Sequence, residues 1–130
     1  MLFDSLDFLY MPSQDVAAEL VHFEDVLGGE VVFAIEAYGT RVAMVRLAPQ
    51  PPAVLLAGHL EGDRPILVFR VVNLEESIAK LEQRGAVAGT RFGIPHGPGC
   101  EFELPGGHRV ALYELTRPGA AEHLSGRRDF

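Results

Sequence analysis

The chain carries one pattern twice. Leu6–Gly28 and Arg64–Gly85 each run from a short apolar stretch through a polar break into an amphipathic helical stretch that ends in glycine. Val16, Leu20 and Phe23 return as Leu74, Ile78 and Leu81, in each case 58 residues later, and Phe8 returns at the same offset as Ile66. The residues behind each helical stretch read as strands and hairpins. Two copies of one supersecondary unit are therefore expected, and the surface between two copies of a curved sheet is a natural place for a pocket.

Alternation, turn residues and caps predict the order βαβββ in each copy. In the first copy, Leu6–Met11 is a strand ended by Pro12. Ser13 or Asp15 caps a helix with Val16, Leu20, Phe23 and Leu27 on one face, and Gly28–Gly29 stops it. Strands at Glu30–Ala37, Arg41–Ala48 and Ala53–His59 follow, separated by Tyr38-Gly39-Thr40 and by Pro49-Gln50-Pro51-Pro52, whose prolines cannot join a central ladder. Leu60–Arg64 links the copies. In the second copy, Pro65–Val72 is a strand and Asn73 an N-cap, with Glu76 in the capping-box position. The helix runs to Arg84 and stops at Gly85. Strands are expected within Ala86–Ile94 and at Cys100–Leu104 and Arg109–Leu115, with Pro95–Gly99 a loop and Pro105–His108 a tight turn. Thr116–Phe130 is a tail with one short helix at Ala120–Leu124. The fold class is α+β. Two modules, about 6–59 and 65–117, form one domain whose curved, mostly antiparallel sheet surrounds a cleft, with the two module helices on the outer face and a tail at 118–130.

Composition narrows the function. A chain of 130 residues buries roughly two-thirds of its unfolded surface, and no apolar run reaches the ~18 residues of a membrane span. The N-terminus lacks a basic segment ahead of its apolar stretch, so it does not read as a signal peptide. Cys100 stands alone and cannot form an internal disulfide, which points to a reducing cytoplasm. The net charge is −7 and the arginines are scattered, Arg127–Arg128 being their one adjacent pair, so nucleic acid is not an expected partner and neither is a membrane.

Three segments carry a family resemblance: Phe23-Glu24-Asp25-Val26-Leu27-Gly28-Gly29, Phe69-Arg70-Val71 ahead of the second helix, and Leu104-Pro105-Gly106-Gly107-His108 ahead of the last strand. With the duplicated βαβββ order they resemble the vicinal oxygen chelate superfamily over roughly residues 6–117. That group includes glyoxalase I, extradiol dioxygenases, methylmalonyl-CoA epimerase, fosfomycin-resistance enzymes and bleomycin-binding proteins. The resemblance implies a divalent metal centre with a ligand, usually His, on the first strand of each module and another, usually Glu, on the fourth. Those positions fall here on Phe8, Leu55, Ile66 and Ala111, none of which can bind a metal ion. A one-residue slip offers only Asp7. No metal and no cofactor are therefore expected. The resemblance also implies a homodimer, and the tail Pro118–Phe130 with its terminal phenylalanine is a candidate surface for packing on a second copy.

Period two places Tyr10 beside Phe8, Val68 and Arg70 beside Ile66, and Arg109 and Tyr113 beside Ala111 on the inner face, while Val110 and Leu112 face the helices. The expected ligand site is Phe8, Tyr10, Leu55, Ile66, Ala111 and Tyr113, with Arg70 and His59 as polar handles. This describes a metal-independent binder of a partly apolar or aromatic small molecule, with sequestration of a toxic compound as one use. A second reading is a lyase, isomerase or dioxygenase whose metal or acid–base site has moved to His59, His96, His108, Glu101 or Cys100. A third is a partner protein with a filled cleft.

Overall fold

Each copy of the repeat folds into the same unit. The computed structural model describes residues 1–130. The first copy forms β1 (Ser5–Pro12), α1 (Val16–Val21), β2 (Glu30–Ala37), β3 (Thr40–Arg46) and β4 (Ala53–Ala57). The second forms β5 (Ile66–Val71), α2 (Leu74–Gln83), β6 (Ala88–Ile94), β7 (Gly97–Glu103) and β8 (Arg109–Glu114), and α3 (Ala120–Leu124) lies in the tail. All eight strands join one sheet in the order β2-β3-β4-β1-β5-β8-β7-β6. β1 and β5 meet antiparallel at the centre, β1–β4 and β5–β8 are parallel, and the outer pairs are antiparallel. No helix is long and apolar enough to cross a membrane.

Alternation along the strands sorts the side chains into two faces. On the outer face, Val16 and Leu20 of α1 pack on Ala43, Val45, Val54 and Leu56. Leu74 and Ile78 of α2 pack on Val71, Cys100, Phe102 and Leu112. Phe23 and Leu81, the third members of the repeated triplet, sit half-buried at the edges of these two clusters. The inner face carries a single larger cluster that spans both modules and includes Phe8, Tyr10, Leu55, Ile66, Val68, Ala111 and Tyr113.

Local chemistry explains the differences from expectation. Asp15, not Ser13, caps α1 by accepting from the Ala18 N–H at 3.1 Å, while Ser13 donates to the Glu19 carboxylate. Asn73 accepts from the Glu76 N–H at 3.0 Å, as a cap should. The first helix widens at His22 into a π-helical turn, His22–Val26, and this extra residue per turn rotates Leu27 out to solvent. Gly97-Pro98-Gly99 belongs to β7 and not to a loop. A Cβ at Gly97 would lie 2.0 Å from the Glu114 carbonyl oxygen, and one at Gly99 would lie 2.4 Å from the Phe92 ring, so glycines let this strand press against its neighbours.

The tail packs on its own chain. It crosses from β8 over the inner face, where Ala121 and Leu124 of α3 pack, and then runs along the outer edge of β2. There the Ala34 N–H donates to Arg127 O at 2.8 Å and the Asp129 N–H to Ala34 O at 2.7 Å. Phe130 packs beside the α1 cluster under the Arg41 guanidinium, 4.8 Å from its ring centroid. The edge that β2 would otherwise leave open is thus covered by the chain itself.

Candidate functional site

The inner face is not one open cleft. Its centre is filled: Leu55, Ile66 and Ala111 have no exposed surface. Phe33 and Met44 on the neighbouring strands share their cluster, and Phe92 packs against it with its ring 5.6 Å from that of Tyr10. The positions that hold metal ligands in the resembling enzymes are therefore ordinary core here. Phe8, Leu55, Ile66 and Ala111 offer only carbon atoms and do not fit a divalent ion, and nowhere do three or more His, Cys, Asp or Glu side chains gather as a set that could hold one.

Two cavities remain, one at each end of this filled centre. The first, about 290 Å³, is lined by Asp7, Phe8, Met44, Ala53 and the Pro49–Pro51 turn of the first module and by Arg70, His96 and Tyr113 of the second. Pro118 and Ala121 of the tail complete its wall. The second, about 800 Å³, is lined by Tyr10, His59, Phe92, Glu101 and Arg109 together with Gly89–Gly93 and the linker Leu60–Gly62. Of the expected site residues, Phe8, Arg70 and Tyr113 come together at the first cavity, and Tyr10 and His59 at the second. Leu55, Ile66 and Ala111 form the floor between them.

At the first cavity a β-bulge decides the chemistry. Leu6 pairs with Phe69 and Phe8 with Val68, so Asp7 is the extra residue on β1. The bulge lets Asp7 and Phe8 both reach the cavity. Asp7 accepts a hydrogen bond from Ser5 Oγ at 2.6 Å and another from the Tyr113 hydroxyl. Arg70 stands beside it, Nε 3.5 Å from the Asp7 carboxylate. Burial, reinforced by the Asp7 hydrogen bond and charge, pushes the Tyr113 phenol well above its usual range, so it acts as a donor.

His96 occupies the turn between β6 and β7, within the stretch where the sequence predicted a loop. It is only 6% exposed, with its ring 4.6 Å from that of Phe8 and its Nδ1 without a hydrogen-bond partner. Burial pushes its pKa below the ordinary histidine value; the Asp7 charge opposes that shift and Arg117 adds to it. Burial therefore favours the neutral form of His96 in the folded state. A depressed folded-state value contributes stability above the ordinary histidine pKa, and that stability is lost as pH falls. The protein is expected to unfold at lower urea concentration at about pH 5.5 than at about pH 7.5, and His96→Gln should narrow this difference. An unchanged difference in the variant would show that His96 does not carry it.

The remaining candidates are dispersed. His59 donates to or accepts from the Tyr10 hydroxyl at 3.1 Å and Thr40 Oγ1 at 3.2 Å, although β4 ends two residues before it. Burial pushes the Tyr10 phenol up to about 12. Glu101 is held by Arg109 at 2.7 Å, and His108 is exposed on the Pro105–Gly107 turn. Cys100 is buried against α2, and its thiol is raised by that burial, which makes it a small apolar residue and not a nucleophile. His59, His96 and His108 are thus apportioned to three different places. Sequence reasoning named Asp7 only as a slipped metal ligand; its signal was an acid set inside the apolar run Leu6–Met11. It missed Arg46, Gln50 and Ala53, because nothing in one strand shows which turns fold over its face.

No protein-family model matches the sequence, and no curated protein matches it significantly. Solved structures do. A methylmalonyl-CoA epimerase from Mycobacterium tuberculosis is similar over 92% of this chain and 93% of its own, at 20% identity and a TM-score of 0.74. A Streptomyces coelicolor methylmalonyl-CoA epimerase variant, in complex with 2-nitronate-propionyl-CoA, is similar over 88% and 99%, at 14% identity and a TM-score of 0.71. A hypothetical protein from Bacillus halodurans is similar over 85% and 93%, at 13% identity and a TM-score of 0.72. At these identities the likeness concerns the path of the chain and not its chemistry. The duplicated βαβββ sheet of this protein is the fold of the vicinal oxygen chelate superfamily.

Proposed function

We propose that this protein binds a small, partly apolar molecule without a metal, in the cavity walled by Phe8, Arg70, His96 and Tyr113. The observation that carries this reading is the division of the inner face. The metal positions of the fold are spent on core packing, while a cavity with an apolar wall and a few convergent polar groups persists beside them. That is the usual composition of a small-molecule site. Sequestration is a use that needs no more than this.

Chemical-shift mapping of the full chain against a panel of small aromatic compounds tests it. The resonances of Phe8, Tyr113 and Ala121 are expected to move together with at least one compound. Ala121→Phe, which fills the wall from the tail, is expected to abolish the shifts without unfolding the protein. Shifts confined to the Tyr10–His59 end, or none with any compound, would contradict the reading.

One observation favours a second reading, that of an enzyme with a relocated acid–base site. His96 is buried in the wall of the same cavity, with an unpartnered Nδ1 and its neutral form favoured by that burial. Run in D2O, the same titration reads it: a proton-transferring site would exchange a carbon-bound hydrogen of a bound compound for deuterium, and a binding site would not.

A further inference from the structure

We propose that the ligand of this cavity is a monocarboxylic acid with a flat apolar body, its carboxylate held by Arg70; the proposal rests on the binding reading above and names the class of ligand. The charges of the lining point to an anion. Two guanidinium groups, Arg46 and Arg70, face one carboxylate, Asp7, in a chain whose net charge is −7. Asp7 is already engaged by the Ser5 and Tyr113 hydroxyls. Arg46 is bound to Glu30 at 3.2 Å. Arg70 is different: it has the 3.5 Å ion pair with Asp7 but no hydrogen bond, its Nε is buried without a partner, and its side chain is still 40% exposed. A planar guanidinium with an unused fork matches a carboxylate bidentately. Arg70 is the one lining guanidinium with an unused fork, which suits a single carboxylate.

The walls point to the rest of the molecule. The Phe8 ring is flanked by His96 at 4.6 Å and by Tyr113 edge-on at 5.5 Å. Pro49, Pro51 and Pro118 supply the facing surface. Rigid rings of this kind favour a flat apolar body over a long flexible one. The cavity at the other end offers no such anion site. Glu61, Glu101 and Glu103 outnumber Arg91 and Arg109 there, Arg109 is taken by Glu101 and the carbonyls of Glu61 and Arg64, and Arg91 is taken by Glu75.

Calorimetric titration of the full chain with naphthalene-2-carboxylate and with its neutral isostere naphthalene-2-carboxamide tests the proposal. The acid is expected to bind at least about tenfold more tightly than the amide. Arg70→Gln should erase that preference, Arg70→Lys should keep part of it because the charge remains without the fork, and Arg46→Gln should keep most of it. Should Arg70→Gln fail to fold, Arg70→Lys carries the comparison. Equal binding of acid and amide to the unaltered protein would overturn the ligand class and leave the cavity reading intact. A preference that survives in both Arg70 variants would overturn the role of Arg70. Binding of neither compound would overturn this proposal, and the cavity reading would fall with it if the aromatic panel also gave no shifts.

Discussion

Ile66→Ala is expected to lower the unfolding free energy by about 2–5 kcal/mol, and Ile66→His by at least as much. Ile66 has no exposed surface, pairs with Tyr10 across the central β1–β5 ladder and belongs to the cluster that joins the modules. Truncation leaves a cavity where both halves meet, with little freedom for the sheet to collapse around it. Histidine is the informative variant, since it restores the residue type that the resembling metalloenzymes use at this position. Here its imidazole would be buried in a largely apolar cluster whose hydroxyls, those of Tyr10 and Tyr113, are already bonded to His59 and Asp7. Urea denaturation with and without a divalent cation checks both expectations. Wild-type stability of Ile66→His, or stabilisation of it by the cation, would mean that the metal geometry of the fold survives behind the apolar side chains.

Gly97→Ala is expected to cost about 3 kcal/mol or more, and Gly93→Ala in the same hairpin about 0.5 kcal/mol or less. The new methyl group at position 97 would stand 2.0 Å from the Glu114 carbonyl oxygen and 3.1 Å from the Thr116 N, whereas nothing lies within 4 Å of a Cβ at Gly93. Relief requires β7 to move away from the end of β8. That motion also displaces His96, whose carbonyl accepts the Thr116 N–H at 3.1 Å and the Arg117 N–H at 2.9 Å. Gly97→Ala should therefore weaken ligand binding as well as folding. Similar denaturation midpoints for the two alanine variants would remove the steric account of why Gly97-Pro98-Gly99 is a strand.

The fold was legible in the sequence because its evidence is periodic and local. The 58-residue repeat located both helices, and β2 and α3 fall on the residues that alternation and turn signals assigned to them. Inner-face parity was also readable: Phe8, Tyr10, Leu55, Ile66, Ala111 and Tyr113 share one cluster. Irregularity was not readable. The Asp7 bulge and the π-helical turn each insert one residue, and an insertion of this kind leaves no periodic trace. The glycines of β7 look like loop residues until the strands that crowd them are in place.

The candidate site was legible only in part, for a related reason. A strand pattern tells which face a side chain occupies but not what folds over that face. Leu55, Ile66 and Ala111 point inward as expected and are fully buried in the cluster that includes Phe33 and Met44, while Arg70 and Tyr113, on the same face, remain beside open space. His96 shows the converse. Its neighbours in sequence are turn formers, and its burial comes from the Phe8 ring on a distant strand. Phe130 also finds its place through a long-range event, the return of the tail along β2.

The central claim is that binding has moved from the metal positions of this fold to the cavity beside Arg70. A crystal structure of the protein grown with naphthalene-2-carboxylate tests it most directly. The account predicts the carboxylate within hydrogen-bonding distance of the Arg70 guanidinium and the ring system against Phe8 and His96. Density for the compound at the Tyr10–His59 end, or a displaced core with the compound lodged over Ile66 and Ala111, would contradict it.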